Sequence, residues 1–179
     1  MNYETLIGNN IVLRKAKMEE IDTLMNIYSI AREFMIKTNN PNQWGKTNPT
    51  IEMVKNDILN GDSYVLCNDS EIEAVFALIF GEDPTYSVIE NGNWLNDNEY
   101  VTIHRIASKG NIHGVFNFVI NYCKKFNLDI RIDTHNDNLV MQGLIEKNGF
   151  KKCGIIYLKN GSSRIAYQLV NKSALVHIK

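Results

Sequence analysis

The chain has 179 residues, 44% of them hydrophobic, and a formal net charge of -1; that length suits one well-filled core and is short for two, so a single domain over 1–179 is expected. No basic run exceeds a pair, which leaves no field or local cluster for a sequence-independent nucleic-acid binder. Cys67, Cys123 and Cys153 lie far apart without metal-ligand spacing, no apolar run approaches the roughly 18 residues of a bilayer span, and Met1-Asn2-Tyr3-Glu4 lacks signal-peptide order; reduced core cysteines in a soluble cytoplasmic protein are expected.

Ile11-Val12-Leu13-Arg14 reads as a short strand. From Met18 to Lys37, Ile21, Leu24, Met25, Tyr28, Ala31 and Met35 recur at helical spacing, with Glu19 and Glu20 placed near the N-terminal dipole. Pro41 disfavours helix before it, so Thr38 to Gly45 is a break that carries Trp44. A helix of about three turns starts around Asn48-Pro49-Thr50, with Ile51, Val54 and Ile58 on one face and Gly61 as its C-terminal cap. Ser63 to Cys67 and Glu71 to Phe80 form the arms of a hairpin through Asn68-Asp69-Ser70. The second arm is apolar on both faces from Ala74 to Phe80, as a strand covered on two sides would be. From Gly81 to Asn98 the pattern disappears, and a connection of this length is more often a binding loop or lid than a plain linker. Tyr86 and Trp94 on it either plug an edge of the core or line an acceptor pocket.

Strand and helix then alternate. Tyr100 to Ser108 reads as a strand, and Lys109-Gly110-Asn111-Ile112-His113-Gly114 as a tight turn running into an amphipathic helix. Val115, Phe116, Val119, Ile120, Cys123 and Phe126 share one stripe of that helix. Leu128, Ile130 and Ile132 alternate with Asp129, Arg131 and Asp133, the period of a strand with one buried face. Thr134 to Asn138 opens a second helix, capped by Asp137 or Asn138, with Val140, Met141, Leu144 and Ile145 on one side. Gly149 closes it, and Phe150 folds back on its last turn while starting the strand Lys151 to Leu158. After the turn Asn160-Gly161-Ser162, Ser163 to Val170 makes the last strand, and the tail from Asn171 carries no signal.

This order resembles the GNAT superfamily of acetyl-coenzyme-A-dependent N-acetyltransferases over nearly the whole chain. The family's pyrophosphate loop, [QR]-x-x-G-x-[GA], falls on Lys109 to Gly114, with Lys109 in place of Gln or Arg, Ile112 in place of the first Gly, and Gly114 kept. The family's N-x-x-A-x-x-L-Y-x-x-x-G-F is similar to Asn138, Met141, Leu144, Ile145, Gly149 and Phe150, with spacing kept throughout. The resemblance implies an α/β (α+β) fold: a mixed, mostly antiparallel twisted sheet flanked by helices and splayed between its fourth strand, Tyr100 to Ser108, and its fifth, Leu128 to Asp133. It also implies that acetyl-CoA is held by Ile106, Ala107, Ser108, Lys109, Gly110, Asn111, Ile112, His113, Gly114 and Val115, with His135, Asn138 and Met141 along its arm. The physics of the turn agrees, because a helix N-terminus offers amide groups and a positive dipole end, and glycines let a diphosphate approach the backbone. Read without the family, the turn is an ordinary Gly-containing start to a helix, and Asn138 an ordinary cap.

Acetyl transfer to an amine needs a neutral nucleophile, because an alkylammonium has no lone pair to attack with. Glu99 and His104 are the titratable candidates on the fourth strand, although a lone strand histidine is also a common hydrogen-bonded structural residue. A backbone N–H near Ile106 is the family's donor to the reacting oxygen. The family's general-acid Tyr falls on Ile145, which cannot donate a proton; Tyr157, His135, Tyr122 or water are the replacements. The Asp133-Thr134-His135 trio has no Ser or Cys nucleophile beside it and reads as a helix start or cofactor wall. Walker, H-E-x-x-H and G-x-S-x-G motifs are absent, and no metal site is expected. The expected reaction is acetylation of a primary amine on a small molecule or peptide by direct attack in a ternary complex. The other reading is an acyl-CoA-binding sensor or interaction module of the same fold with weak or no catalysis. A homodimer is compatible with both.

Overall fold

Eight strands and four α-helices make up the computed structural model, which describes residues 5–6 and 10–171. The strands are β1 (Thr5–Leu6), β2 (Ile11–Lys15), β3 (Ser63–Asn68), β4 (Glu71–Phe80), β5 (Tyr100–Ser108), β6 (Asp129–Thr134), β7 (Lys151–Tyr157) and β8 (Ser163–Leu169). The helices are α1 (Ile21–Lys37), α2 (Ile51–Asn60), α3 (Val115–Lys124) and α4 (Leu139–Lys147). Apart from the two-residue β1, the order is the one expected, and the fourth and fifth strands of the sequence reading are β5 and β6. The strands follow each other in hydrogen-bonded order as β1-β2-β3-β4-β5-β6-β8-β7; β1–β2, β2–β3, β3–β4, β6–β8 and β7–β8 pair antiparallel, and β5–β6 pair in parallel. The chain divides into two compact units, the first running to Leu78 with His104–Phe118 added, the second comprising Ile79–Ile103 and the chain from Val119 onward.

In the first unit, β2, β3 and β4 form an antiparallel meander. Asn68 pairs with Glu71, leaving Asp69 and Ser70 as a two-residue turn with φ of 47° and 75°; positive φ at both central residues is the geometry whose twist matches the flanking strands. α1 buries Leu24, Ile27, Tyr28 and Ala31 against Val65, Val75 and Ala107, with Val54 of α2 in the same cluster. Thr50 caps α2 by accepting from the Met53 amide, and Gly61 ends it in the left-handed region at φ 74°. β4 is buried on both faces from Ile72 to Leu78, as its unbroken apolar run requires.

In the second unit, β6 pairs in parallel with β5 from Tyr100 to Ile103 and antiparallel with β8, which pairs with β7. The pairing of β5 with β6 ends at Ile103, although β5 itself continues to Ser108. This meets the expectation that the two strands do not pair along their whole length. The rest of α3 buries Val119, Ile120, Tyr122 and Cys123, and Phe126 stacks edge-on against Tyr122 and Phe80.

Two expectations in this unit change. β6 is covered on both faces, with Asp129 and Arg131 buried, because the Gly81 to Asn98 connection lies over its polar side. Gln168 and the backbone N–H of Asn171 donate to Asp129, the Arg131 guanidinium donates to the Asn96 carbonyl between the rings of Trp94 and Tyr100, and the Tyr86 hydroxyl donates to Asp133 at 2.8 Å. Buried polar groups persist when paired, so the alternating pattern marks a hydrogen-bonded second face instead of a solvated one. α4 departs the other way: Ile145 is fully buried, whereas Val140 and Leu144 are exposed.

The connection is pinned to the strands it covers at several points. Tyr86 is buried and stacked on Trp94, whose indole N–H donates to the Tyr86 carbonyl, which decides for the core-plug reading of this pair. Glu90 and Ile155 exchange both backbone hydrogen bonds at 2.8 Å, so the connection adds a bridge to the outer edge of β7. Backbones approach so closely there that a Cβ on Gly92 would stand 2.0 Å from the Cys153 carbonyl oxygen, and one on Gly154 would stand 2.5 Å from that of Glu90.

Candidate active site

Ten of the expected cofactor-binding residues, Ile106 to Val115, lie consecutively in the first unit, preceded by His104. The turn is anchored from its first residue: the Lys109 N–H donates to the Glu73 carbonyl at 2.9 Å, and the Asn111 amide donates to the buried Glu73 carboxylate at 3.0 Å. Lys109 Nζ stands 3.8 Å from Glu71. Ile112 packs with Leu66, Ala74 and Val115, so the residue that replaces the family's first glycine is an apolar peg joining the turn to the core.

Gly110 and Gly114 adopt φ of 87° and 78°, and a Cβ at either position would meet nothing within 4 Å. The turn is therefore open where side chains would otherwise project. The Gly114 carbonyl accepts from the Phe118 amide at 3.1 Å and so begins the α3 ladder, yet Gly114 has no side chain with which to cap the first amides. An open backbone at the N-terminus of a helix, with a lysine at its edge, fits a phosphate-bearing ligand.

The second half of β5 carries a feature that periodicity could not reveal. Arg105 has a φ of 53°, in the left-handed region that non-glycine residues seldom adopt. Its Nε and Nη2 donate to Oδ2 and Oδ1 of Asp57 on α2, each at 2.8 Å. No local spacing pairs two residues 48 positions apart; the sequence shows only a charged residue beside His104 in the strand.

The other candidates lie in the second unit. Glu99 is exposed just before β5, and its carbonyl accepts from the Asp129 amide at 3.1 Å. Asn138 caps α4, its Oδ1 accepting from the Met141 amide at 3.0 Å, so the capping role is realised; Met141 is half-buried. Nδ1 of His135 lies 3.2 Å from the Asp137 amide nitrogen and 3.4 Å from the Asp137 carboxylate. Ile145, at the family's tyrosine position, is fully buried, and Tyr122 packs edge-on against Phe126 in the interior. Tyr157 is the exposed tyrosine among the replacements. Its hydroxyl donates to Glu90 at 2.9 Å, and that bond to a carboxylate raises its pKa above the ordinary value. Tyr157 lines an open groove of about 400 Å³ with Asn136, Ile155, Ser163, Arg164 and Ile165. Asp133 receives Tyr86 and faces Arg164 at 3.8 Å, so it belongs to the packing of the covering connection. Among the described residues no group of three or more potential ligands could hold a metal ion, and no helix is long and apolar enough to cross a membrane.

The sequence matches no protein-family model and no curated protein. It does match solved structures. A GNAT-family acetyltransferase from Streptococcus agalactiae 2603 is 33% identical, with 92% of this chain and 97% of that chain covered and a TM-score of 0.81. A protein from Staphylococcus aureus Mu50 is 25% identical over 89% of this chain and 99% of that chain, with a TM-score of 0.63. A GNAT-family acetyltransferase from Listeria monocytogenes 4b F2365 is 14% identical over 93% of this chain and 98% of that chain, with a TM-score of 0.68, an agreement of fold.

Proposed function

Because the chain belongs to the GNAT family of acetyltransferases, we propose that it moves the acetyl group of acetyl-CoA to a primary amine of a small molecule or peptide, by direct attack in a ternary complex. The observation that carries this reading is the turn from Lys109 to Gly114, open at both glycines and leading straight into α3. In this proposal the turn and Val115 hold the diphosphate, backbone groups of Ile106, Ala107 and Ser108 hold the arm, and the bound thioester supplies an activated acetyl group. Lys109 contributes charge as a point donor, a role that does not need the planar fork of the family's arginine.

The chain's own residues then have three tasks. One is to take the proton from the acceptor ammonium, for which His104 has the better ordinary pKa and Glu99 is the carboxylate alternative. A second is to place a backbone N–H near Ile106 beside the oxygen on which negative charge builds during acyl transfer. The third is to return a proton to the departing thiolate. Ile145 cannot do this, and Tyr157, protonated and exposed, is the side chain proposed for it. The three buried cysteines, none of them in a disulfide, suit the reducing cytoplasm.

The test is release of free thiol from acetyl-CoA by the purified protein against a panel of polyamines, amino acids, aminoglycosides and peptide N-termini. At least one amine should be turned over well above hydrolysis, and His104→Ala should lower the rate by roughly 100-fold at neutral pH. Binding of acetyl-CoA with no thiol release from any acceptor, and no effect of His104→Ala, would replace this reading with that of a sensor.

A further inference from the structure

We infer that Asp57 and Arg105 are positioning residues: their ion pair holds β5 in the strained backbone turn that sets the direction of the segment from Ile106 to Ser108. The inference rests on the proposed use of that segment to hold acetyl-CoA. An exposed ion pair is a weak anchor, because solvent screens it and two long side chains must be ordered. This pair is of the stronger kind. Both partners are largely withdrawn from solvent, at 18% and 13% side-chain exposure, and the contact is bidentate, with two N–H···O bonds of 2.8 Å.

The location of the pair gives it a task. Arg105 is the only residue of β5 with a positive φ, at 53°, and it comes two residues after Ile103, the last partner of β6. An L-residue enters the left-handed region against the contact of its Cβ with the following carbonyl oxygen, and persists there only when its surroundings impose it. Asp57 is such a constraint. It belongs to a regular helix with a side-chain cap at one end and a left-handed glycine at the other, so its carboxylate is presented from a fixed element. Fixing the guanidinium at two points restricts the Arg105 side chain, and through it the backbone, one residue before Ile106. The bend then carries β5 into the turn at Lys109, which Glu73 holds from its first residue. The segment Ile106 to Ser108 is thus clamped on both sides, by Asp57 before it and Glu73 after it.

Glycine separates this role from an ordinary structural ion pair, because it adopts φ near 53° without an anchor. Four variants, Asp57→Ala, Arg105→Ala, Arg105→Gly and Asp57→Ala with Arg105→Gly, are compared for melting temperature, for acetyl-CoA affinity by calorimetry, and for the amide resonance of Ile106 in the free protein. Removing the anchor should shift the Ile106 resonance and weaken acetyl-CoA binding about tenfold in Asp57→Ala and Arg105→Ala. Both quantities should return to within about threefold of wild-type affinity, and near the wild-type resonance, in the two proteins carrying Arg105→Gly, while their melting temperatures stay lowered by loss of the pair. Arg105→Gly failing as badly as Arg105→Ala, or Asp57→Ala leaving resonance and affinity unchanged, overturns the inference. A wild-type protein that does not bind acetyl-CoA removes the cofactor reading itself, and the role assigned to the clamp with it.

Discussion

Gly114 separates two physical effects at one residue. Its φ of 78° penalises any side chain, by about 1–2 kcal/mol, whereas the space where a Cβ would project is open. Gly114→Ala should therefore fold with a melting temperature lowered by several degrees. Its affinity for acetyl-CoA should fall further than the strain explains, about tenfold or more, because the methyl group occupies the side from which a diphosphate would approach. Calorimetry on the folded variant decides this, and unchanged affinity would remove the turn from the site. Ile112 predicts the reverse pattern. Its side chain packs on Leu66, Ala74 and Val115, so Ile112→Gly, although it restores the family's residue, should cost about 2 kcal/mol or more in denaturant unfolding through lost burial. The sequence showed Ile112 as a departure from the motif; that it would meet Leu66 and Ala74 depends on two strands far earlier in the chain, and local spacing contains no record of them.

Tyrosine ionisation gives a pH prediction at the same scale. Burial raises the pKa of Tyr28 and, with the nearby Asp133, that of Tyr86; burial and Glu146 push Tyr167 up to about 12; the bond to Glu90 raises Tyr157. A folded pKa above the unfolded one means stability that is fully present below the unfolded value near 10 and is lost as pH rises through the folded value. Stability from these four groups should thus be intact at neutral pH and decline above pH 10. In an ultraviolet titration they should ionise after the ordinary tyrosines, or on unfolding, and Glu90→Gln should move one transition, that of Tyr157, toward 10.

Among the elements, the connection over β6 departs furthest from its expected behaviour. A lid should open freely, whereas this segment bridges β7 through Glu90 and Ile155 and places Tyr86, Trp94 and Asn96 against the polar groups of β6 and β8. Gly154→Ala tests the clamp, since its Cβ would meet the Glu90 carbonyl oxygen at 2.5 Å in a backbone already at φ 155°. The bridge should break at a cost of about 1–3 kcal/mol, visible as faster amide exchange at Glu90 and Ile155 and as proteolysis within the connection; unchanged exchange at both would mean that the bridge does not hold the segment. The sequence made the strands and helices legible because each carries its own period, down to Gly61 and Asn138 as caps. It misled where a distant segment supplied the second face. Asp129, Arg131 and Asp133 alternate like solvated residues because their partners come from the connection and from β8, and Val140 and Leu144 look like core because an apolar stripe does not say whether anything covers it. The site was legible by the same rule: the turn and cap are local patterns, whereas the pairs Asp57 with Arg105 and Glu90 with Tyr157 join residues 48 and 67 positions apart.

For the molecule as a whole, cysteine chemistry bears on whether the acetyl group passes through the protein. An acetyl-enzyme would need a nucleophile, and of the ordinary side chains a cysteine is the most capable, but only as thiolate. None of the three cysteines is in a disulfide, and all are buried, at 3%, 0% and 5% exposure for Cys67, Cys123 and Cys153. Burial raises the thiol pKa of Cys123 and, against the pull of Arg131, that of Cys153, so at neutral pH their thiolate fractions lie below the few per cent of an unperturbed cysteine. Cys153 also directs its thiol toward the Lys151 carbonyl, at 3.4 Å, and away from any role as an acceptor of acetyl groups. The same burial that protects the thiols from reagents should keep them out of the reaction. The folded protein should react slowly with an aromatic disulfide reagent and release three thiol equivalents on denaturation. Mixed with acetyl-CoA and quenched rapidly without an amine, it should show no thioester-linked acetyl adduct by intact-mass measurement, and Cys153→Ala should keep the wild-type rate with the best amine of the panel. A stoichiometric, hydroxylamine-labile acetyl group on any of the three cysteines, formed before the amine is added, would establish a two-step route and end the case for direct attack.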